Sequence, residues 1–240
     1  MLFLTVAAAA AMDHSDYQGV LSAHVNAQGN VDYAAVRSSG ALDAYLSALQ
    51  TAAEPADRSA RMAFWLNAYN ALTIDLIADN YPLSSIRELD GGDPWESRRF
   101  TVAGQLVTLN HIEHMILRPM GDARIHAAVN CASRGCPPLS KVAFTGAGLN
   151  AQLSAVSTAW LTGNGVTIDP DTNTVSLSKI FEWYGDDFVP GIEVDIPGVE
   201  GSQEGAVNFV IRHLPQHADY LSAGGYTIGY SSYDWGINAQ

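Results

Sequence analysis

Cysteine is nearly missing from this sequence. Its 240 residues hold two, Cys131 and Cys136, so the chain has room for one internal disulfide, one pair of thiolate ligands, or one reactive thiol with a bystander. Charge is also scarce, at 15% of residues, and it is one-sided: 12 Lys and Arg stand against 25 Asp and Glu, for a net charge of −13. That balance excludes a basic patch able to hold phosphates or an anionic membrane surface, and no nucleic-acid partner is expected. Long apolar runs are missing too. Beyond the first dozen residues no segment reaches the about 18 uncharged apolar positions that a membrane helix needs, so no membrane span is expected. No repeat, low-complexity tract or linker divides the chain.

What is present is a foldable composition. Hydrophobic residues make up 48%, enough for one sizeable core. The opening "MLFLTVAAAAAM" is apolar with small residues near Ala9 to Ala11, and it turns polar at Asp13. It reads as a residual signal-like segment over 1–12, without a basic start, ahead of a single domain over 13–240. An exported protein, periplasmic or extracellular, is the expectation; a buried apolar helix is the alternative.

Residues 16–54 read as two helices, with "GNVDYAAVRSSG" interrupting them as a short strand or turn. The strongest helical signal follows in "DRSARMAFWLNAYNALTIDLIADNYP", with Asp57 or Ser59 to cap it and Pro82 to stop it. Its apolar face is wide enough to require a central, nearly surrounded position. Asn67 and Asn70, three residues apart there, are costly to bury without partners. They serve either a core hydrogen-bond network or a functional role, orienting a catalytic side chain or binding substrate backbone, with Asn67 the candidate for substrate binding.

Further on, "RRFTVAGQLVTL" predicts a hairpin turning at Ala103-Gly104. Thr108 or Asn110 then caps a short helix carrying Glu113 and His114. "ARIHAAVN" predicts a strand that delivers Cys131, "GLNAQLSAVSTAWLTG" a helix closed by Gly163, and "GVTIDPDTNTVSLSKIFEWYGDDFV" a hairpin followed by a helix. Another helix, "QEGAVNFVIRHLP", precedes a strand-like tail. The fold class expected is α+β: a central buried helix packed against a small, mostly antiparallel sheet.

The chemistry converges on the cysteine stretch "RIHAAVNCASRGCPPLSK". A nucleophilic thiol needs an imidazole to hold the ion pair and a third group to orient that imidazole. Among seven histidines, His14, His24, His213 and His217 read as surface or packing residues, which leaves His111, His114 and His126. The assignment is Cys131 as nucleophile, His114 as base and Glu113 beside it, with His126 the alternative base. Five positions along a strand would turn His126 and Cys131 to opposite faces unless the chain kinks. The Asn130 amide and the Cys131 backbone N–H are candidate oxyanion donors, with plain turn chemistry the alternative for Asn130. Arg134 is a candidate for a substrate carboxylate, and Cys136 is a redox partner or bystander. Lys179 and Tyr184 are further candidates to line the site.

In order along the chain, "FWLNAYNALT", "PLSSIREL", "LNHIEHMILR", "RIHAAVNCASRGCPPL", "LSKIFEWYGDDF" and "YDWGIN" resemble the successive blocks of the DUF547 family. The resemblance runs over roughly residues 58–190, with its last block near 233–238. It implies a compact domain, often exported by bacteria, with kinship to papain-like thiol enzymes. The family's acidic pair before "IEH" is replaced here by Asn110-His111.

Several functions stay open at this level. The first is an exported thiol hydrolase or transferase acting on peptide, amide or γ-glutamyl-type bonds through Cys131. The second is a redox or small-thiol (glutathione-like) domain. A metal site at His111 and His114 with His126 or Cys131 is a third, though the spacing matches no strong zinc pattern. The fourth is a non-catalytic binding module. A small peptide or small-thiol ligand is the expected partner, and no cofactor and no bound metal are expected.

Overall fold

The computed structural model describes residues 12–240, and the signal-like segment falls almost entirely outside them. The chain is α+β, with ten α-helices and five short strands among the described residues.

Three helices precede the central one: α1 (Ser15–His24), α2 (Tyr33–Ser39) and α3 (Asp43–Thr51). The expected interruption is thus itself mostly helical. Val31 does make isolated bridges to Val25 and Ala239, but Asp32 then accepts a hydrogen bond from the Ala35 amide and Gly40 takes the left-handed closing position. A cap at one end and a left-handed glycine at the other hold the helix across the β-branched Val36.

Helix α4 (Arg58–Asn80) runs through the middle of the molecule, capped by Asp57 and buried from Met62 to Ala78 except at Asp75. Helix α5 (Pro94–Ser97) leads to the antiparallel hairpin β1 (Phe100–Val102) and β2 (Gln105–Val107), which turns at Ala103-Gly104 as expected. Val102 and Val107 join α4 in one apolar cluster. Thr108 caps α6 (Leu109–His111), and the helix widens into a π-helical stretch, Ile112–Leu117.

After α7 (Leu149–Trp160), strands β3 (Val166–Asp169) and β4 (Thr174–Leu177) pair antiparallel. Helices α8 (Lys179–Trp183), α9 (Gly201–His213) and α10 (Ala218–Ala223) follow. Strand β5 (Thr227–Tyr230) then adds parallel to β4, so this second sheet is mixed.

The expected strand over "ARIHAAVN" does not form. Residues Ala123–Ala127 make a 3-10 turn started by Asp122, whose carboxylate accepts from the Arg124 amide. Among the described residues no neighbouring strand pairs with the segment; a side chain of α4 does that instead. Asn70 Nδ2 donates to the Ala128 carbonyl (2.9 Å), and its Oδ1 accepts from the Asn130 amide (2.9 Å). The strand argument that set His126 and Cys131 on opposite faces therefore does not apply.

The apolar interior divides in two. One cluster gathers around α4, and the other around α9, β4 and the Trp160, Phe181, Phe188 and Phe209 rings; Val156 packs against both. A cleft lies where the two meet, as ligand sites often do.

Candidate functional site

A cavity of about 310 Å³ takes Tyr69 and Val129 from the first cluster's side and Ile180 and Tyr184 from the second. Glu113, His114, His126, Cys131 and Cys136 line it as well. The four residues singled out for acid, base or nucleophile roles, with the redox partner Cys136, thus share one space.

The sulfurs are joined as a Cys131–Cys136 disulfide. Tyr233, from the far end of the chain, donates its hydroxyl between them, at 3.1 Å from Cys131 Sγ and 3.0 Å from Cys136 Sγ. Burial, opposed by a hydrogen bond with Ser133, pushes the Tyr233 hydroxyl well above its ordinary range, so it remains a protonated donor at neutral pH. Its arrival depends on residues 234–238, which run along the cysteine loop: Arg134 and Gly135 donate to the carbonyls of Gly236 and Asp234, and Ser133 bridges Ile237. Gly135 must be glycine, because a Cβ there would lie 2.8 Å from the Tyr233 ring.

The two imidazoles are held differently. His126, 2% exposed, places Nε2 2.8 Å from Asp187 Oδ2. A carboxylate only accepts, so Nε2 carries the proton and Nδ1 is the free acceptor. His114 places Nδ1 2.8 Å from Arg118 Nη1, and a guanidinium only donates, so here Nδ1 accepts and the proton sits on Nε2. Arg118 in turn grips Asp187 with two hydrogen bonds, 2.6 and 3.0 Å. Burial would raise the Asp187 carboxyl, but the His126 and Arg118 hydrogen bonds outweigh it and hold the group well below the usual carboxylate range. The Tyr184 ring stacks on His126 at 4.4 Å and lies under Arg118 at 5.2 Å, which fixes the layer.

Glu113 is 7% exposed and accepts from the Tyr69 hydroxyl at 3.2 Å. Burial first, then the Glu113 charge, raises both the Tyr69 and Tyr184 hydroxyls. The π-helical turn lets two adjacent residues, Glu113 and His114, both reach the cavity while Ile112 stays in the core.

The remaining candidates lie elsewhere. Asn67 is buried away from the cavity, its amide closed in both directions on Phe144: Nδ2 donates to the carbonyl and Oδ1 accepts from the amide. Asn130 holds the cysteine loop in shape, donating to Pro137 O and accepting from the Ala132 amide and Asn238. The Cys131 amide donates to Cys136 Sγ. Neither donor foreseen for an oxyanion is free in the disulfide form. Arg134 is exposed, 3.7 Å from Asp234, and Lys179 pairs with Glu182; neither lines the cavity. His111 is exposed, whereas His114 faces the cavity, and among the described residues no three His, Cys, Asp or Glu side chains are placed to hold a metal ion.

Sequence reasoning missed Asp187, Arg118, Tyr69 and Tyr233. All four lie within the family-like blocks, Tyr69 in "FWLNAYNALT", Arg118 in "LNHIEHMILR", Asp187 in "LSKIFEWYGDDF" and Tyr233 in "YDWGIN", but no local pattern links an acid or a phenol to a histidine or cysteine some 61 or 102 positions away.

Neither the comparison with curated proteins nor that with solved structures returned a match. Residues 54–161, which include both cysteines, Glu113, His114 and His126, match the family described as "Protein of unknown function, DUF547". The likeness to DUF547 is that of this stretch, and from outside it Tyr184 and Tyr233 line the cleft while Asp187 holds His126.

Proposed function

We propose that the cleft is the centre of a thiol-dependent hydrolase or acyltransferase acting on peptide, amide or γ-glutamyl-type bonds, stored as its Cys131–Cys136 disulfide. The observation that carries this reading is the shared cavity: both sulfurs lie with His126, an imidazole that Asp187 orients and whose Nδ1 has no partner among the described residues. A small thiol or dithiol reductant would open the disulfide, leaving two protein thiols and its own disulfide. Cys131 then gives its proton to His126 Nδ1 and attacks the substrate carbonyl, forming a C–S bond. The tetrahedral intermediate collapses as the imidazolium protonates the departing amine, and water or a second amine releases the acyl group from the thioester.

In this scheme His126 takes the base role, because Arg118 leaves His114 Nε2 as a donor rather than an acceptor. His114 instead supplies a hydrogen bond to developing negative charge, and Tyr233 steadies the thiolate. Export belongs to the same proposal, since disulfides persist in oxidising compartments. So does papain-like kinship, for which a cleft between two apolar clusters is the supporting feature.

The test is the pH profile of iodoacetamide alkylation at Cys131 in the reduced protein. Rapid labelling that persists well below the ordinary thiol range, near pH 8.5, and is lost in His126→Ala supports the assignment. Loss in His114→Ala alone would return the base role to His114. An ordinary thiol profile would leave the second reading, a redox or small-thiol domain, which the Tyr233 contact to both sulfurs favours. That domain would exchange reversibly with glutathione without early ionisation of Cys131.

A further inference from the structure

Four of the remaining lining residues are aromatic. Trp95, Trp183, Tyr233 and Trp235 line the cavity. The Trp183, Tyr233 and Trp235 rings meet one another at centroid distances of 4.6 to 5.8 Å, and Trp95 meets Trp235 edge-on at 6.0 Å. Trp183 is 45% exposed, an unusual position for so large an apolar ring. Apart from the two imidazoles, the titratable carboxyl groups on the lining are those of Asp93 and Glu113, and no Lys or Arg among the described residues lines it. Aromatic faces carry negative electrostatic potential, and they attract a cation most strongly where water is displaced. The same wall already shows this preference, since the Arg87 guanidinium lies over the Trp235 ring at 5.0 Å.

We infer that the cleft binds a cationic group, an amine or quaternary ammonium, against the Trp183–Tyr233–Trp235 corner, with Glu113 and Asp93 as counter-charges. A sugar or a neutral apolar ligand would also stack on these rings, but would leave the acidic Asp93 and Glu113 facing a cavity that holds no cation; Glu113 has the Tyr69 hydroxyl and the charge of Arg118, which lies outside the lining. The inference deepens the proposed function, and it rests on that reading for one element: that the cation belongs to the substrate, placing the scissile carbonyl near Cys131. Cation binding itself requires no turnover, so it is measured on the disulfide form, where catalysis plays no part.

The experiment is titration of tryptophan fluorescence in the full chain with choline and, in parallel, with its neutral isostere 3,3-dimethylbutan-1-ol. Saturable quenching by choline, with the isostere at least ten-fold weaker, is the expected result. Trp183→Ala, at a half-exposed ring whose loss leaves the core intact, should weaken choline at least ten-fold, and Glu113→Gln should narrow the gap between choline and isostere. Equal affinity for the two probes, or saturation by neither, overturns the inference. Retained binding beside an ordinary thiol profile at Cys131 overturns the enzymatic reading alone.

Discussion

Asn70→Ala tests how the cysteine loop is held. Asn70 is 2% exposed, and its amide makes two hydrogen bonds of 2.9 Å, to the Ala128 carbonyl and from the Asn130 amide. Alanine removes both partners and leaves two buried backbone groups unpaired, at about 1–3 kcal/mol each. The expected loss is therefore about 4 kcal/mol. With a urea m-value of about 3 kcal/mol/M, the unfolding midpoint should fall by roughly 1.3 M at unchanged m. Thr73→Ala is the control: that hydroxyl is equally buried on the same helix, but it bonds only the Tyr69 carbonyl one turn back, so its removal should cost about 1 kcal/mol. Amide hydrogen exchange should show the Asn70→Ala loss concentrated over residues 128–136. Equal costs for the two variants, or an Asn70→Ala cost below about 1 kcal/mol, would refute the claim that this side chain stands in for a strand.

Gly135→Ala should lower stability by about 1–3 kcal/mol, because the methyl group meets the Tyr233 ring, and it should speed reduction of the disulfide by dithiothreitol as the ring moves. Unchanged denaturation and reduction rates would count against the packing described. Asp75 titrates at about 6 in the fold, raised by burial and then by Asp79 and Asp43, against 3.8 ordinarily. The folded state therefore binds the proton more tightly, and this stabilisation is present below pH 4 and lost as pH rises through 6. Its partial exposure discounts the shift, so Asp75→Asn should gain about 1–2 kcal/mol at pH 7 and almost nothing at pH 4; equal gains at both would sink the assignment. His213 is displaced the opposite way, to about 4 from 6.5, by burial and then by Arg124 and Arg212. The unfolded chain binds that proton first, so acid unfolding should steepen between pH 6.5 and 4. His213→Gln should remove about 2 kcal/mol of that slope, and an unaltered slope would exclude His213 as its source.

Much of the architecture was readable from local pattern. The α4 signal, its Asp57 cap and the Ala103-Gly104 hairpin all depend on neighbouring residues, and all form where the pattern puts them. The "RIHAAVN" strand failed because its backbone partner is not a strand but a side chain 60 positions away, which leaves no periodic trace. The cysteines, Glu113 and the two histidines were identifiable because nucleophiles and bases are few in this chain, so elimination worked. The roles within that group were not readable. Which nitrogen of each imidazole is free depends on Arg118 and Asp187, one a turn away on the same helical run and the other on a distant segment. Asn67 stands out as a polar residue buried on the central helix, and Asn130 and Arg134 as neighbours of the cysteines; Asn67 and Asn130 bond to backbone, and Arg134 is exposed beside Asp234.

The sulfurs and the hydroxyl between them come from very different places along the chain. Cys131 and Cys136 are five residues apart, whereas Tyr233 joins them from 102 positions downstream of Cys131. A chain that folds from its N-terminal side brings the cysteines together long before residues 233–237 can cover them. During that interval the pair faces whatever oxidant or thiol surrounds the nascent protein. The compartment in which folding begins therefore sets the first redox state of the pair, before Tyr233 takes its place between the sulfurs.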